Sequence, residues 1–182
     1  MSTAPPPPAH GEEHLALTVV RAHLDAADAE GVLTALAAHL QEVGAVGEDF
    51  AEALRARERE YPTGLPTPIP TAIPHADPAH VRVPGLAVAT LARPVPFGEM
   101  GVRDGRVDVH LVAMPLLTDA REHLAALQAL MGLLSDEAAV RDLLEAPDDA
   151  ALRERAAARL AALPGGATGA VSSAADGVGE SA

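Results

Sequence analysis

The 182-residue chain has no cysteine, no tryptophan and no lysine, and it is strikingly short of aromatic and cationic side chains in general. The missing cysteines exclude disulfides, thiol catalysis and Cys-based zinc sites. Phe50, Phe97 and Tyr61 are the only aromatics, so Leu and Val must fill the core; the apolar fraction is 48 %, but much of it is alanine. With lysine absent, every side-chain positive charge outside histidine is an arginine. Together with the Ala, Gly and Pro load, this reads as a base-composition bias before it reads as function. No apolar run approaches the ~18 residues that a bilayer span requires. The net charge of −13 speaks against nucleic acid and against an anionic membrane surface, both of which demand basic patches. It favours solubility and docking onto basic protein partners. The Pro-rich N-terminus has no basic region followed by a hydrophobic stretch, so it does not read as a secretion signal, and the cytoplasm is the expected location.

What is present organises into one domain between two tails. Residues 1–13 (MSTAPPPPAHGEE) resemble a disordered, polyproline-like tail, and residues 164–182 a Gly/Ala/Ser-rich disordered one. The folded domain is expected over 14–163, long enough to bury its own core. Leu15–Val20 can form a short strand. Asp28 opens a helix in which Val32, Leu33, Leu36, Leu40 and Val43 recur at helical spacing, and Gly44 ends it. A second helix is expected from Gly47 to about Arg59. Residues 61–70 (YPTGLPTPIP) hold four prolines and a glycine and read as a rigid, irregular segment. Thr71–Pro74 is extended; Leu86–Leu91 and Val107–Met114 read as buried strands, with a smaller extended piece at Val95–Phe97. A helical stripe of Leu124, Leu127, Met131 and Leu134 follows, then helices over roughly Asp136–Glu145 and Asp148–Leu160. Helices, then strands, then helices suggest an α/β layered fold with a mixed sheet.

Eight histidines are the first candidates for proton or phosphoryl traffic. His10 and His14 fall in or beside the N-terminal tail; His23, His39 and His80 fall in surface regions. His110 lies inside VDVHLVAM, where strict alternation groups it with Asp108 and Val112 on one face, opposite Val109, Leu111 and Ala113. His123 lies in TDAREHLAAL, where Asp119 and Glu122 make a capping-box pattern and put His123 in the first helical turn. Taken in isolation, it reads as a satisfied boundary residue more readily than as a functional one. His75 leaves a short strand inside a stiff loop, where α/β proteins often place chemistry. Its local sequence alone does not separate a catalytic histidine from one with a local hydrogen bond. Arg59, at the end of the second helix, reads as dipole complement and solvated charge.

Taken together, LRAREREYPTGL (54–65), TAIPHADPAHV (71–81), VPGLAVATLARPVPFGEMG (83–101), VDVHLVAMPL (107–116) and REHLAALQALMGLL (121–134) resemble the phosphotransferase-system enzyme IIA family of fructose/mannitol type. The Y-P-T-G-L segment resembles the galactitol-like branch. The resemblance covers roughly residues 15–160. Its most specific parts are A-I-P-H, an arginine sixteen residues before that histidine, and E-H-L at the start of a later helix. It implies an α/β/α sandwich, a mixed β-sheet flanked by helices on both sides. It also implies phosphorylation of His75, with His123 and Arg59 completing the active site and with no metal or organic cofactor. Phosphate would come from HPr and pass to a cysteine of enzyme IIB, for polyol uptake through enzyme IIC.

Two other readings stay open. One keeps the fold but makes the protein a regulator of nitrogen-regulatory type, whose phosphorylation state a partner reads. The other gathers His75, His80, His110 and His123 around a metal, which needs three converging ligands and carboxylate support.

Overall fold

The computed structural model describes residues 15–163, apart from the side chains of 121–123. Both expected tails lie outside the described residues. Five strands form one mixed sheet: β1 (Leu17–Leu24), β2 (Gly64–Leu65), β3 (Thr71–Ala72), β4 (Gly85–Gly98) and β5 (Arg106–Leu116), in the order β1-β4-β5-β3-β2. β1 runs parallel to β4 and β3 parallel to β5, whereas β4–β5 and β2–β3 are antiparallel.

Helices cover both faces. α1 (Ala29–Glu42) and α2 (Phe50–Glu60) lie on one; α3 (Ala120–Ser135), α4 (Glu137–Leu144) and α5 (Asp149–Ala161) lie on the other. The first core layer joins Leu33, Leu36, Leu40, Phe50 and Leu54 to Ala87, Ala89, Val112 and Met114 of the sheet. The second joins Leu130, Leu134, Val140, Leu143 and Leu152 to Leu86, Val88, Leu111 and Ala113. Alternate strand residues therefore serve opposite layers, as expected for a sheet buried on both sides. Among the described residues no helix is long and apolar enough to cross a membrane.

Local signals set the helix ends. The Asp28 side chain accepts from Gly31 N at 2.8 Å, and Asp136 and Asp148 cap α4 and α5 the same way. Each satisfies an otherwise orphaned first-turn amide. Gly44, at φ +74°, ends α1 in the left-handed region that glycine tolerates best.

Several boundaries differ from the sequence reading. β1 begins and ends later than Leu15–Val20. α2 begins at Phe50 rather than Gly47. The pieces at Leu86–Leu91 and Val95–Phe97 belong to the single strand β4, interrupted by a bulge. There Thr90 pairs with Leu111 and Val95 with Val109, leaving Leu91–Pro94 opposite His110 alone. The bulge breaks the assumed alternation in β5: Val109 and Val112 share the first layer, while Leu111 and Ala113 share the second. In α3 the buried stripe runs through Ala126, Leu130 and Leu134, and Leu124 is exposed.

Candidate functional site

A single crossing of the sheet edge sets up the site. Along β3 and its exit, Ala72 enters one core layer and Ile73 the other. Both are buried, which pins the backbone just before Pro74 and leaves His75 half-buried in an open cleft. The cleft holds about 860 Å³. The C-terminal end of α2 and the turn at Tyr61–Thr63 wall one side, and the β4–β5 hairpin from Gly98 to Arg106 walls the other.

The His75 ring is held at both nitrogens. Nδ1 lies 2.8 Å from the Ile73 carbonyl, and Nε2 lies 3.3 Å from Nη2 of Arg57. A carbonyl can only accept and a guanidinium can only donate. Nδ1 therefore carries the hydrogen, and Nε2 presents its lone pair to Arg57. His75 makes a further contact beyond these two.

Arg57 is fixed from several directions. Its Nη1 donates to Asp77 Oδ1 at 3.0 Å, and its guanidinium carbon stands 5.7 Å from the centroid of the Tyr61 ring. Its buried Nε–H has no partner among the described residues. An unpaired buried donor is costly, and it is a donor that a phosphoryl oxygen could satisfy.

The arginine beside His75 is thus Arg57, not the Arg59 that counting sixteen residues back selects. Residues two apart on a helix point about 200° from one another, so α2 can turn only one of the pair toward the ring. Arg59 is exposed at the cleft margin. Arg55 points elsewhere too, donating to Thr34 Oγ1 at 3.2 Å and pairing with Glu30.

The YPTGL segment has a structural reason for its composition. Tyr61 ends α2 and lies beside Arg57. A Cβ on Gly98 would meet Pro62 at 2.7 Å, so the two chains are in close contact there. Thr63 bonds to Glu58 through both its amide (2.9 Å) and its hydroxyl (2.8 Å). Gly64 sits where any Cβ would lie 2.5 Å from the Gly98 carbonyl and 2.6 Å from Val107 Cγ2, and its own carbonyl accepts from Met100 N at 2.8 Å. The segment thereby locks the hairpin onto the sheet edge and completes the cleft. Burial pushes the Glu58 carboxyl above the usual carboxylate range, partly offset by its two bonds from Thr63.

The remaining candidates are distributed differently. His123 belongs to the first turn of α3, and its side chain lies outside the described residues, as does that of Glu122, the second member of the expected capping pair; Asp119, the first, is exposed just before α3. His80 pairs with Asp49 Oδ2 at 2.9 Å. His110 is half-buried on β5, its amide bound to the Pro70 carbonyl. Among the described residues no group of three His, Asp or Glu is placed to hold a metal ion. Arg57, Asp77 and the hairpin wall were not singled out by sequence reasoning. Asp77 stood inside the quoted TAIPHADPAHV, but without a partner in view it carried no chemical signal.

A phosphotransferase-system EIIA 2 description matches residues 13–156, most of the chain and all of the sheet. The chain belongs to the EIIA 2 family of the phosphoenolpyruvate-dependent sugar phosphotransferase system. Members are phosphotransferases that carry phosphate on a histidine. This EIIA resembles the mannitol-specific cryptic enzyme IIA CmtB of Escherichia coli (21 % identity, 78 % of this chain and 94 % of that one, TM-score 0.60). It is similar to enzyme IIA of the E. coli mannitol system in complex with phosphorylated enzyme IIB (22 %, 75 % and 92 %, TM-score 0.61). It is also similar to the nitrogen regulatory protein IIA-Ntr of Neisseria meningitidis (25 %, 76 % and 94 %, TM-score 0.58). No curated protein matches the chain at a significant level.

Proposed function

We propose that His75 is the phosphate-carrying histidine and that Nε2 is the nitrogen that takes the phosphoryl group from HPr. The observation that carries this reading is the fixed ring: Nδ1–H is bound to the Ile73 carbonyl, and Nε2 meets Arg57 within an open cleft. In the transfer, the phosphorus–nitrogen bond of phospho-HPr breaks as a bond from phosphorus to His75 Nε2 forms. No proton has to leave His75, because Nδ1–H stays on the carbonyl and stabilises the positive charge that the ring acquires. Phosphoryl transfer asks the protein chiefly for positioning and for stabilisation of the equatorial oxygens. Arg57 gives up its bond to Nε2 and turns its planar fork of donors to those oxygens. His123, in the first turn of α3, is proposed as a second donor, and Arg59 as a charge at the margin that partners meet.

The phosphate then passes to a cysteine of enzyme IIB in the cytoplasm, for sugar uptake through enzyme IIC. The mannitol IIA–IIB complex among its structural relatives supports that kind of acceptor. The YPTGL segment supports a polyol system of galactitol-like type. The cleft is lined by five arginines and five carboxylates, so it is locally balanced in a chain of net charge −13. Exposed Tyr61, Met100 and Val102 on its walls offer apolar contacts to a partner. The likeness to IIA-Ntr favours a second reading, in which a regulator reads the phosphorylated state instead.

Incubation with phosphoenolpyruvate, enzyme I and HPr, followed by intact mass, tests the proposal. One phosphate on the wild type and none on His75→Ala is the expected result. Phosphate on both variants would move the site elsewhere, and phosphate on neither would end the carrier reading. Transfer onward to enzyme IIB separates transport from regulation.

A further inference from the structure

The Arg57–His75 contact has two ends, and a single carboxyl is connected to both. Glu58 follows Arg57 directly in the last turn of α2. Its Oε1 accepts from Thr63 N at 2.9 Å and its Oε2 from Thr63 Oγ1 at 2.8 Å. The Thr63 carbonyl accepts from Ile73 N at 3.2 Å. The Ile73 carbonyl in turn accepts from His75 Nδ1 at 2.8 Å. A continuous run of hydrogen bonds therefore leads from the end of α2, through the YPTGL turn and the exit of β3, to the imidazole ring.

The placement of Glu58 is unfavourable on local grounds. A carboxylate at a helix C-terminus opposes the helix dipole, and a partly buried one loses hydration. Thr63 is almost fully buried, so its amide and hydroxyl need acceptors, and the one side chain that supplies both is Glu58. A one-sided loss of this pairing would leave Thr63 unsatisfied and free the turn to shift.

We infer that Glu58 is a positioning residue for phosphoryl transfer: through Thr63 and Ile73 it fixes the His75 ring in the Nδ1–H form and sets its separation from Arg57. The inference rests on the reading that His75 carries the phosphate. Glu58 does not touch the reacting atoms. It acts by holding two chain segments, one bearing the guanidinium and one bearing the ring, in a fixed relation. A displacement on the order of 1 Å in such a relation costs up to about 10²-fold in rate.

Nitrogen-15 NMR of the unphosphorylated protein reads the ring tautomer directly, and quenched-flow transfer from phospho-HPr reads the rate. The variants are Glu58→Leu, which removes both acceptors, Thr63→Val, which keeps the amide donor but removes the hydroxyl, and Thr63→Ser, which keeps both. Glu58→Leu and Thr63→Val are expected to populate the Nε2–H form of His75 and to slow transfer about 10-fold or more. Thr63→Ser is expected to retain both wild-type readouts. If Glu58→Leu fails to fold, the Thr63→Val and Thr63→Ser pair carries the test. Folded variants with lowered melting temperature but with wild-type tautomer and a rate within about twofold would overturn the inference and leave Glu58 a stabilising residue only. The tautomer measurement needs no phosphate donor. A wild type that HPr fails to phosphorylate would defeat the function proposed for His75, while the NMR arm would still decide whether Glu58 orders the ring.

Discussion

Exchanging the two arginines near the end of α2 separates geometry from residue counting. Arg57→Ala removes a guanidinium whose Nη2 lies 3.3 Å from His75 Nε2, along with a buried Nε–H that has no partner among the described residues. Loss of one preorganised donor to transition-state oxygens costs about 3–4 kcal/mol, or roughly 10²–10³ in rate. The same substitution also breaks the bridge to the exposed Asp77 carboxylate, but a surface pair of that kind contributes only about 0–1 kcal/mol to stability. The protein should therefore remain folded while transfer collapses. Arg59→Ala removes an exposed charge at the cleft margin, and screening limits its effect to about fivefold, most of it in partner association. Arg57→Lys should fall between, since an ammonium keeps the charge and loses the planar fork. Quenched-flow transfer from phospho-HPr, followed by intact mass, measures all three. If Arg59→Ala slowed transfer as much as Arg57→Ala, the assignment of Arg57 to the phosphoryl group would be wrong.

Three further substitutions probe the scaffold. Gly64→Ala places a Cβ 2.5 Å from the Gly98 carbonyl and 2.6 Å from Val107 Cγ2; the first is backbone and the second a stiff β-branched side chain, so neither yields cheaply, and urea unfolding should show a loss of about 3 kcal/mol. An unchanged midpoint would mean that the hairpin is not locked at that point. Asp28→Ala removes the side-chain acceptor for Gly31 N and should cost about 1 kcal/mol, lowering the melting temperature by about 2–4 °C. A fall of less than half a degree would count against the cap. Glu58 binds its proton more tightly in the folded than in the unfolded chain, because burial raises its pKa from the ordinary value of 4.5. Folded stability therefore falls as pH rises from that ordinary value through the folded one and stays at the lower level above it. Glu58→Gln should remove this fall, which sets in as pH rises above the ordinary carboxylate value; denaturant titrations that show the same pH slope in both proteins would contradict it.

The elements were legible because periodicity and caps are local. Asp28 and Gly44 bracket α1 in the sequence as they do in space, and the two-sided burial of β4 and β5 shows in their nearly unbroken apolar runs. The face of His110 was not legible. Alternation assumes regular pairing, and the four residues Leu91–Pro94 that stand opposite it belong to a neighbouring strand. The hairpin wall was equally silent, because GEMGVRDGR acquires meaning only when Gly64 and Gly98 bring it against the turn before β3.

The same distinction explains the arginine. His75 was found because A-I-P-H is contiguous, and contiguity survives any folding of the chain around it. The arginine lies across ten residues of proline-rich turn, so its identity depends on how that turn folds and on the phase of α2, neither of which a residue count contains. Helix phase does contain it: Phe50 and Leu54 are fully buried in the first core layer, and residues three and four positions along share a side of the helix. Leu54 fixes the position three residues on, which is Arg57, on the side that faces the sheet edge. Arg59, about 200° away from Arg57, must then face solvent. The apolar stripe of α2 thus selects the arginine, and the buried leucine is the residue whose replacement by a polar one would be expected to loosen the Arg57–His75 contact without touching either member.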